Sequence, residues 1–103
     1  MSIVVCFVSC AGTKEAEKIA QSLIEKRLVA CANIIPGVSS VYRWNGNVKK
    51  AREALLLLKT KKSLRKKVEG EIKKMHSYAL PAIEFIMAGT TPEAEKWIFG
   101  ETL

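Results

Sequence analysis

The side chains with the most distinctive chemistry in this sequence are a single histidine, His76, and three cysteines, Cys6, Cys10 and Cys31. One histidine excludes a histidine-rich metal cage within the chain, but imidazole and thiolate together can bind a borderline-soft cation such as Cu²⁺. Cys10 lies just past an apolar run, where solvent could reach it, and is the preferred thiol. Cys31 lies inside an apolar stretch and is expected to be packed. His76 also has a structural alternative, because it follows a predicted helix and could help to end it.

Glu53 is the second candidate, because it is a carboxylate directly before the apolar run Ala54–Leu58. Burying an unpaired charge is very costly, so Glu53 requires a partner, and Lys49, Lys59 or a group from a neighbouring subunit could supply it. An inter-subunit ion pair and a place in a ligand pocket are both consistent with its position. Tyr78 and Trp44 have amphipathic rings suited to the wall of such a cleft, and aromatic packing at a subunit interface explains them equally well.

The motifs argue against an enzyme. The chain has one histidine, no Gly-x-Ser-x-Gly motif and no glycine-rich phosphate loop after the first predicted strand, so no nucleophile, base and orienting group can be recognised. The motifs also argue against nucleic-acid binding, because neither central strand has the aromatic pattern of an RNA-recognition module.

The segment from Leu28 to Thr60 must position several of these residues, and its two runs of strand-forming residues flank Asn45-Gly46. This dipeptide tolerates positive φ and is the strongest short hairpin signal in a sequence. The segment therefore predicts one long β-hairpin that has Trp44, Tyr42 and Glu53 on one face. The predicted cross-strand pairs are Trp44–Asn47, Tyr42–Lys49, Ser40–Ala51 and Val38–Glu53.

The predicted hairpin is longer than any helix available to cover it. The arm from Val48 to Thr60 spans about 43 Å as a strand, whereas roughly sixteen helical residues span about 24 Å. The distal part of the hairpin should therefore lack cover from its own chain, and a two-stranded ribbon alone in water is marginally stable. A second copy of the protein is the simplest source of cover.

Hydrophobic patterning predicts the remaining elements. Ile3–Val8 and Leu55–Leu58 are apolar on both faces and are expected to be central strands. Pro36-Gly37 is expected to bend the first hairpin arm, Val29–Trp44, and to place it at a sheet edge. The other predicted elements are a helix capped by Thr13, a helix from Lys61 to His76, a strand from Pro81 to Ala88, and a last helix capped by Thr91 with Trp97 and Ile98 facing inward.

The order of these elements is β-α-β-β-α-β with an added C-terminal helix, which is the ferredoxin-like α+β plan in a single domain of residues 1–103. Right-handed crossovers place both main helices on one face and the first and third strands in the middle of the sheet. The other face would then present apolar side chains to water, which marks an interface. The long hairpin and this face independently predict an obligate homo-oligomer.

Composition sets outer limits on function. The chain of 103 residues is 49% hydrophobic and 26% charged, which excludes disorder and favours a globular domain. No apolar run reaches the ~20 residues of a membrane span, and the start lacks the basic residues of a signal peptide, so a cytoplasmic location is expected. Three cysteines without a C-x-x-C pair predict free thiols.

Much of the net charge of +7 lies between Lys59 and Lys74. This basic run predicts a solvated helix face, and contact with an anion or nucleic acid is the alternative.

Specific short segments occur along nearly the whole chain. They are Leu28–Asn33, Tyr42–Gly46, Glu53 before Leu58-Lys59-Thr60, His76-Ser77-Tyr78 with Pro81-Ala82-Ile83, and Trp97. Together they resemble the CutA divalent-cation tolerance proteins. The resemblance implies a ferredoxin-like subunit assembled as a homotrimer through its hairpins and sheet faces, and a link to copper and other divalent metals.

The sequence also departs from the pattern of that family. The family commonly has a proline after the histidine and acidic residues after the tyrosine and after the later proline, where this chain has Ser77, Ala79 and Ala82. Each missing carboxylate removes a possible hard metal ligand near the site.

Two functions are therefore expected as alternatives. The first is a trimeric protein that responds to metal ions, in which His76 with Cys10 or a carboxylate weakly binds Cu²⁺ or another divalent ion. The second is a trimeric regulatory or scaffold protein whose inter-subunit clefts bind an anionic small molecule or a partner protein. The residues assigned to the cleft are Glu53, Lys59, Trp44, Tyr78 and Cys31.

Overall fold

A computed structural model describes residues 2–103, which form one four-stranded sheet and three α-helices. The strand order is β2-β3-β1-β4 and all neighbouring strands are antiparallel, which confirms the ferredoxin-like plan with β1 and β3 in the middle. None of the helices in this range has the length and apolar character that crossing a bilayer requires. In chain order the elements are β1 (Ser2–Cys10), α1 (Thr13–Glu25), β2 (Cys31–Trp44), β3 (Asn47–Thr60), a 3-10 turn (Lys62–Leu64), α2 (Arg65–Met75), β4 (Ile83–Gly89) and α3 (Pro92–Glu101).

β2 and β3 form the predicted long hairpin. Asn45 and Gly46 have φ values of 51° and 78°, so the turn uses the left-handed conformation that these two residues tolerate. All four predicted cross-strand pairs occur. The register shifts at Pro36-Gly37, where proline has no N–H and the glycine φ is 65°, so the predicted irregularity lies on the edge strand.

The hydrophobic core lies between one face of the sheet and the helices α1 and α2. Alternate residues of β1 and β3 point into it, because successive side chains of a strand point to opposite faces. Leu23 of α1 and Ile72 of α2 are fully buried against them. The strand residues in this core are Cys6, Val8, Cys10, Ala54, Leu56 and Leu58.

The opposite face of the sheet has no comparable cover from α1 or α2. Ile35 and Ile86 on this face are 46% and 51% exposed. Residues 41–50, at the end of the hairpin, are all exposed. Both features that predicted a partner chain are therefore present. The half-buried apolar residues of β1 and β3 on this face are Val5, Phe7, Leu55 and Leu57.

The start of α1 differs from the prediction. Thr13 is the first helical residue and Gly12 occupies the N-cap position, without a side-chain cap. The Glu15 carboxylate instead accepts a hydrogen bond of 3.1 Å from the Ala11 backbone N–H just before the helix. The prediction that Thr13 caps this helix is therefore wrong.

The C-terminal helix α3 begins as predicted but faces the core with one residue rather than two. The Thr91 hydroxyl accepts a hydrogen bond of 3.2 Å from the Ala94 N–H and caps the helix. Ile98 is 1% exposed, whereas Trp97 is 47% exposed, so the inward position predicted for Trp97 is wrong. Successive residues of a helix point about 100° apart, so α3 buries only one of the two.

Leu56→Ala should lower the free energy of unfolding by about 2–5 kcal/mol, because Leu56 is fully buried and its truncation leaves a cavity. Leu80→Ala is the matched control, since it makes the same truncation at a side chain that is 67% exposed. It should change the free energy by less than about 0.5 kcal/mol. Chemical denaturation followed by circular dichroism at one protein concentration measures both, and equal losses would contradict this placement of the core.

Candidate functional site

His76 lies at the end of α2, where its backbone N–H donates to the Ile72 carbonyl at 2.9 Å. Its side chain is 0% exposed. The imidazole Nε2 is 2.8 Å from the Ser9 carbonyl oxygen, and Nδ1 is 3.1 Å from the Tyr78 backbone nitrogen. A carbonyl only accepts and an N–H only donates, so Nε2 carries the proton and Nδ1 accepts. The His76 side chain therefore ties the end of α2 to the end of β1 through the Ser9 carbonyl.

Glu15, in the first turn of α1, lies beside the same histidine. Its carboxylate accepts hydrogen bonds from the backbone N–H groups of Ala11 at 3.1 Å and Ser77 at 3.0 Å, and its Oε1 is 3.8 Å from His76 Nε2. Burial alone would raise the pKa of Glu15, but the hydrogen bonds from Ser77 and Ala11 outweigh it and hold the pKa below its ordinary value. The sequence analysis missed this residue as a site residue. The available signal was its position five residues after Cys10, across the turn from strand to helix.

Cys10 is the last residue of β1 and points into the core. It is 0% exposed, so the prediction that solvent reaches it is wrong. Burial, followed by the charges of Glu15 and Glu53, raises the pKa of its thiol to about 11. Cys31, predicted to be packed, is only partly buried. All three cysteines are free thiols, as predicted.

The Cys10 sulfur, the Glu15 carboxylate and the His76 imidazole form a cluster whose ligand atoms lie within 4.8 Å of one another. We call it the metal-ligand cluster. Thiolate, carboxylate and imidazole are a donor set that suits a borderline-soft divalent cation. The sequence analysis predicted the pairing of His76 with Cys10, and the structure brings these two residues together.

Hydrogen bonds already occupy His76 and Glu15 of the metal-ligand cluster, and we call this form of the cluster closed. Both nitrogens of His76 and the carboxylate of Glu15 are engaged, so a bound ion would have to replace some of these bonds. Burial also disfavours the thiolate of Cys10, and this adds to the cost of binding an ion. The donor types therefore fit a divalent cation, and their present bonding favours weak binding.

The connection from α2 to β4 brings Tyr78 to Glu53. The Tyr78 hydroxyl donates to Glu53 Oε2 at 2.6 Å, and Glu53 is 9% exposed. The partner of the carboxylate is thus a neutral phenol, and no lysine or arginine of residues 2–103 forms an ion pair with it, including Lys49 and Lys59. Burial, together with the hydrogen bond to Glu53, raises the pKa of Tyr78 above its ordinary value.

A cavity of about 530 Å³ lies beside this hydrogen bond, and we call it the Glu53 cavity. It brings together three predicted cleft residues, Glu53, Trp44 and Tyr78. Lys59 and Cys31 are not among the described residues that line it, and they face each other elsewhere in the hairpin. The sequence analysis missed Ser9 and Leu80, because their place here depends on how the chain folds after α2. The lining residues are Ser9, Ser40, Tyr42, Trp44, Glu53 and Tyr78, with Ala79, Leu80 and Ala82 from the connection to β4.

The family relationship is decided by a comparison of the sequence with models of known families. The model described as CutA1 divalent ion tolerance protein matches residues 4–101. The chain belongs to the CutA1 divalent ion tolerance protein family. The resemblance drawn from the short segments is therefore confirmed.

Individual members of the CutA1 family agree with this assignment. The divalent-cation tolerance protein CutA of Thermus thermophilus is 40% identical over 79 residues, which cover 77% of each chain. Human protein CutA is 35% identical over 82 residues, 80% of this chain but 46% of the human protein, so the chain spans about half the length of that relative. The crystal structure of CutA1 from Oryza sativa superposes with a TM-score of 0.93 at 34% identity, covering 99% of this chain and 94% of that one.

Tyr78 should ionise above pH 10.0, the ordinary tyrosine value, because burial and the hydrogen bond to Glu53 both disfavour the phenolate. With a raised pKa, the stability that neutral Tyr78 contributes is complete below pH 10.0 and is lost as the pH rises further. The phenolate absorbance of wild type minus that of Tyr78→Phe measures this titration. Glu53→Gln should move the midpoint back towards the ordinary value. If Tyr78 in the folded protein titrates with a midpoint at the ordinary tyrosine value, pH 10.0, the hydrogen bond to Glu53 and the burial of Tyr78 are contradicted.

Proposed function

We propose that this chain is a homotrimeric, non-enzymatic protein of the cytoplasm that weakly binds a divalent cation such as Cu²⁺. The observation that carries the proposal is the convergence of Cys10, Glu15 and His76 within 4.8 Å. The description of the family as divalent ion tolerance proteins supports a divalent cation as the ligand. Within that class, thiolate and imidazole favour Cu²⁺ over hard cations such as Mg²⁺.

Weak binding suits a protein whose task concerns excess metal. A ligand stabilises the state that binds it only when its free concentration approaches the dissociation constant. The hydrogen bonds of His76 and Glu15 keep the metal-ligand cluster closed until the ion is abundant. Without an ion, every buried side-chain nitrogen and oxygen of residues 2–103 already has a hydrogen-bond partner.

A trimer is proposed because two regions of the subunit need cover. These are the sheet face that bears Ile35 and Ile86 and the exposed hairpin end, residues 41–50. The hairpin end of one subunit lying on the uncovered face of the next would remove both from water. The number three comes from the resemblance to the family.

The cytoplasm is proposed because the three cysteines are free thiols, which persist where the environment is reducing. Relatives differ in this respect. The Arabidopsis thaliana relative is named as chloroplastic, and the Archaeoglobus fulgidus structure is described as periplasmic.

A second candidate function is a regulatory protein that binds a ligand in a cleft. The Glu53 cavity, with a buried carboxylate and three aromatic side chains in its lining, favours this candidate. Tyr42 and Trp44 of the exposed hairpin end line the cavity, which supports a cleft bordered by a neighbouring subunit in the proposed trimer.

Cys10→Ala and His76→Gln should each weaken Cu²⁺ binding about tenfold or more, because each removes one of the converging donors. Anaerobic calorimetric titration measures this, and Zn²⁺ serves as an ion without redox chemistry. Cys31→Ser is the matched control, since it removes a thiol outside the metal-ligand cluster and should leave the affinity unchanged. Unaltered binding heats in both cluster variants would remove the metal proposal.

Ile86→Lys should convert the trimer to monomers, because it places a charge on the uncovered face of the sheet. Met87→Lys is the matched control on the same strand. Met87 points to the opposite face and is 54% exposed, compared with 51% for Ile86, so the assembly should survive. Sedimentation velocity at micromolar concentration distinguishes the species. A monomeric wild-type protein, or identical behaviour of the two variants, would refute assembly through this face.

A further inference from the structure

We infer that the Glu53 cavity binds an organic cation, an alkylammonium or guanidinium group carried on an apolar stem. The inference rests on the second candidate function and names its class of ligand. It replaces the anionic ligand expected for the cleft from the basic run near Lys59. It does not depend on the metal-ligand cluster.

The charge inside the Glu53 cavity is negative. Among residues 2–103, Glu53 is the one charged side chain in the lining, which contains no lysine or arginine. The positive charge of the chain lies elsewhere, for example on the exposed residues 65–67 and 73–74 of α2. The net charge of the chain, +7, is therefore opposite in sign to the charge of the cavity lining and does not predict which ligand the cavity binds.

The Glu53 carboxylate has unused capacity to accept hydrogen bonds. Tyr78 donates one bond of 2.6 Å to Oε2, whereas a carboxylate can accept about four. No other donor in residues 2–103 bonds to this group, yet no fully buried side-chain oxygen in that range lacks a partner. It follows that Oε1 is not fully buried, in a residue that lines the cavity. A cation stabilises a largely buried carboxylate more when the existing hydrogen-bond partner of that carboxylate is neutral than when it is already charged.

The aromatic side chains favour an organic cation over a hydrated metal ion. Tyr42, Trp44 and Tyr78 line the cavity and are 45%, 46% and 37% exposed in the single chain, so part of each ring is not packed against its own subunit. An ammonium or guanidinium group is attracted to the negative face of an aromatic ring, while its apolar stem packs against ring carbons. An anion would be repelled by both the rings and the carboxylate.

The size of the cavity suits a small molecule. Its volume of about 530 Å³ lies within the range of about 300–1,000 Å³ that is usual for ligand pockets. Leu80, Ala79 and Ala82 add apolar surface for the stem of the ligand. The lining thus combines a charged anchor with apolar walls, as small-molecule sites commonly do.

Three probes of matched shape test the sign of the charge. They are benzylammonium, benzyl alcohol and benzoate, titrated into the full chain carrying Trp97→Phe, so that Trp44 is the one tryptophan left of two. The expected result is quenching or enhancement of Trp44 fluorescence with an affinity for benzylammonium about tenfold or more above that for benzyl alcohol. Benzoate should bind weakest.

Substitutions locate the source of the preference. Glu53→Gln should abolish the preference for benzylammonium over benzyl alcohol, because it keeps the shape and removes the charge. Tyr78→Phe should keep the preference, since it frees the carboxylate without removing it. Glu93→Gln, which removes a carboxylate on α3, is the matched control and should have no effect. Circular dichroism verifies that each variant is folded, and the ranking of the probes in the Trp97→Phe protein decides the sign even if Glu53→Gln does not fold.

The contrary outcomes are distinct. Tighter binding of benzoate than of benzylammonium would overturn the cation and leave the cleft function standing. An unchanged preference in folded Glu53→Gln would overturn the role of Glu53. No response to any probe, as when a side chain of a second copy fills the cavity, would overturn this inference together with the cleft function. The Cu²⁺ proposal would survive all three results, because calorimetry tests it separately.

Discussion

The two faces of the sheet cannot be covered in the same way. Right-handed crossovers place α1 and α2 on one face, whereas β1 and β3 carry apolar side chains on both. The covered face becomes the core and holds the metal-ligand cluster at its edge. The uncovered face, extended by the exposed hairpin end, holds the Glu53 cavity. The separation of the two candidate sites therefore follows from the handedness of the chain.

The segment 76–78 joins the two sites. The His76 ring accepts a hydrogen bond from the Tyr78 backbone N–H, the Ser77 N–H donates to Glu15, and the Tyr78 hydroxyl donates to Glu53. An ion that takes the imidazole must displace either the Tyr78 N–H or the Ser9 carbonyl. The position of Tyr78 in the cavity therefore depends on the hydrogen bonding of His76. The two residues are linked by the chain through Ser77 and by the bond from the Tyr78 N–H to Nδ1.

The structure shows what three residues singled out in the sequence do. Ala79 and Ala82 line the Glu53 cavity and do not belong to the metal-ligand cluster. Since neither carries a charge, Glu53 is the charged side chain in the described lining. Ser77 supplies a backbone N–H to Glu15, which a proline at this position could not do. A residue other than proline here therefore strengthens the closed form of the cluster.

The sequence by itself determined the order of the elements, the hairpin register and the apolar sheet face from which a partner chain is predicted, because these follow from local patterns. Asn45-Gly46 determines the turn, and alternation along β3 determines which face each residue occupies. The tertiary structure decided which side chains meet. Glu15 joins Cys10 and His76, and Tyr78 rather than a lysine reaches Glu53, because the path of the connection after α2 depends on packing between elements far apart in the chain. Burial likewise reversed the roles expected of Cys10 and Cys31. Cys10 lies on the core face of β1 in alternation with Cys6 and Val8, whereas Cys31 pairs with Lys59 on the other face of the sheet.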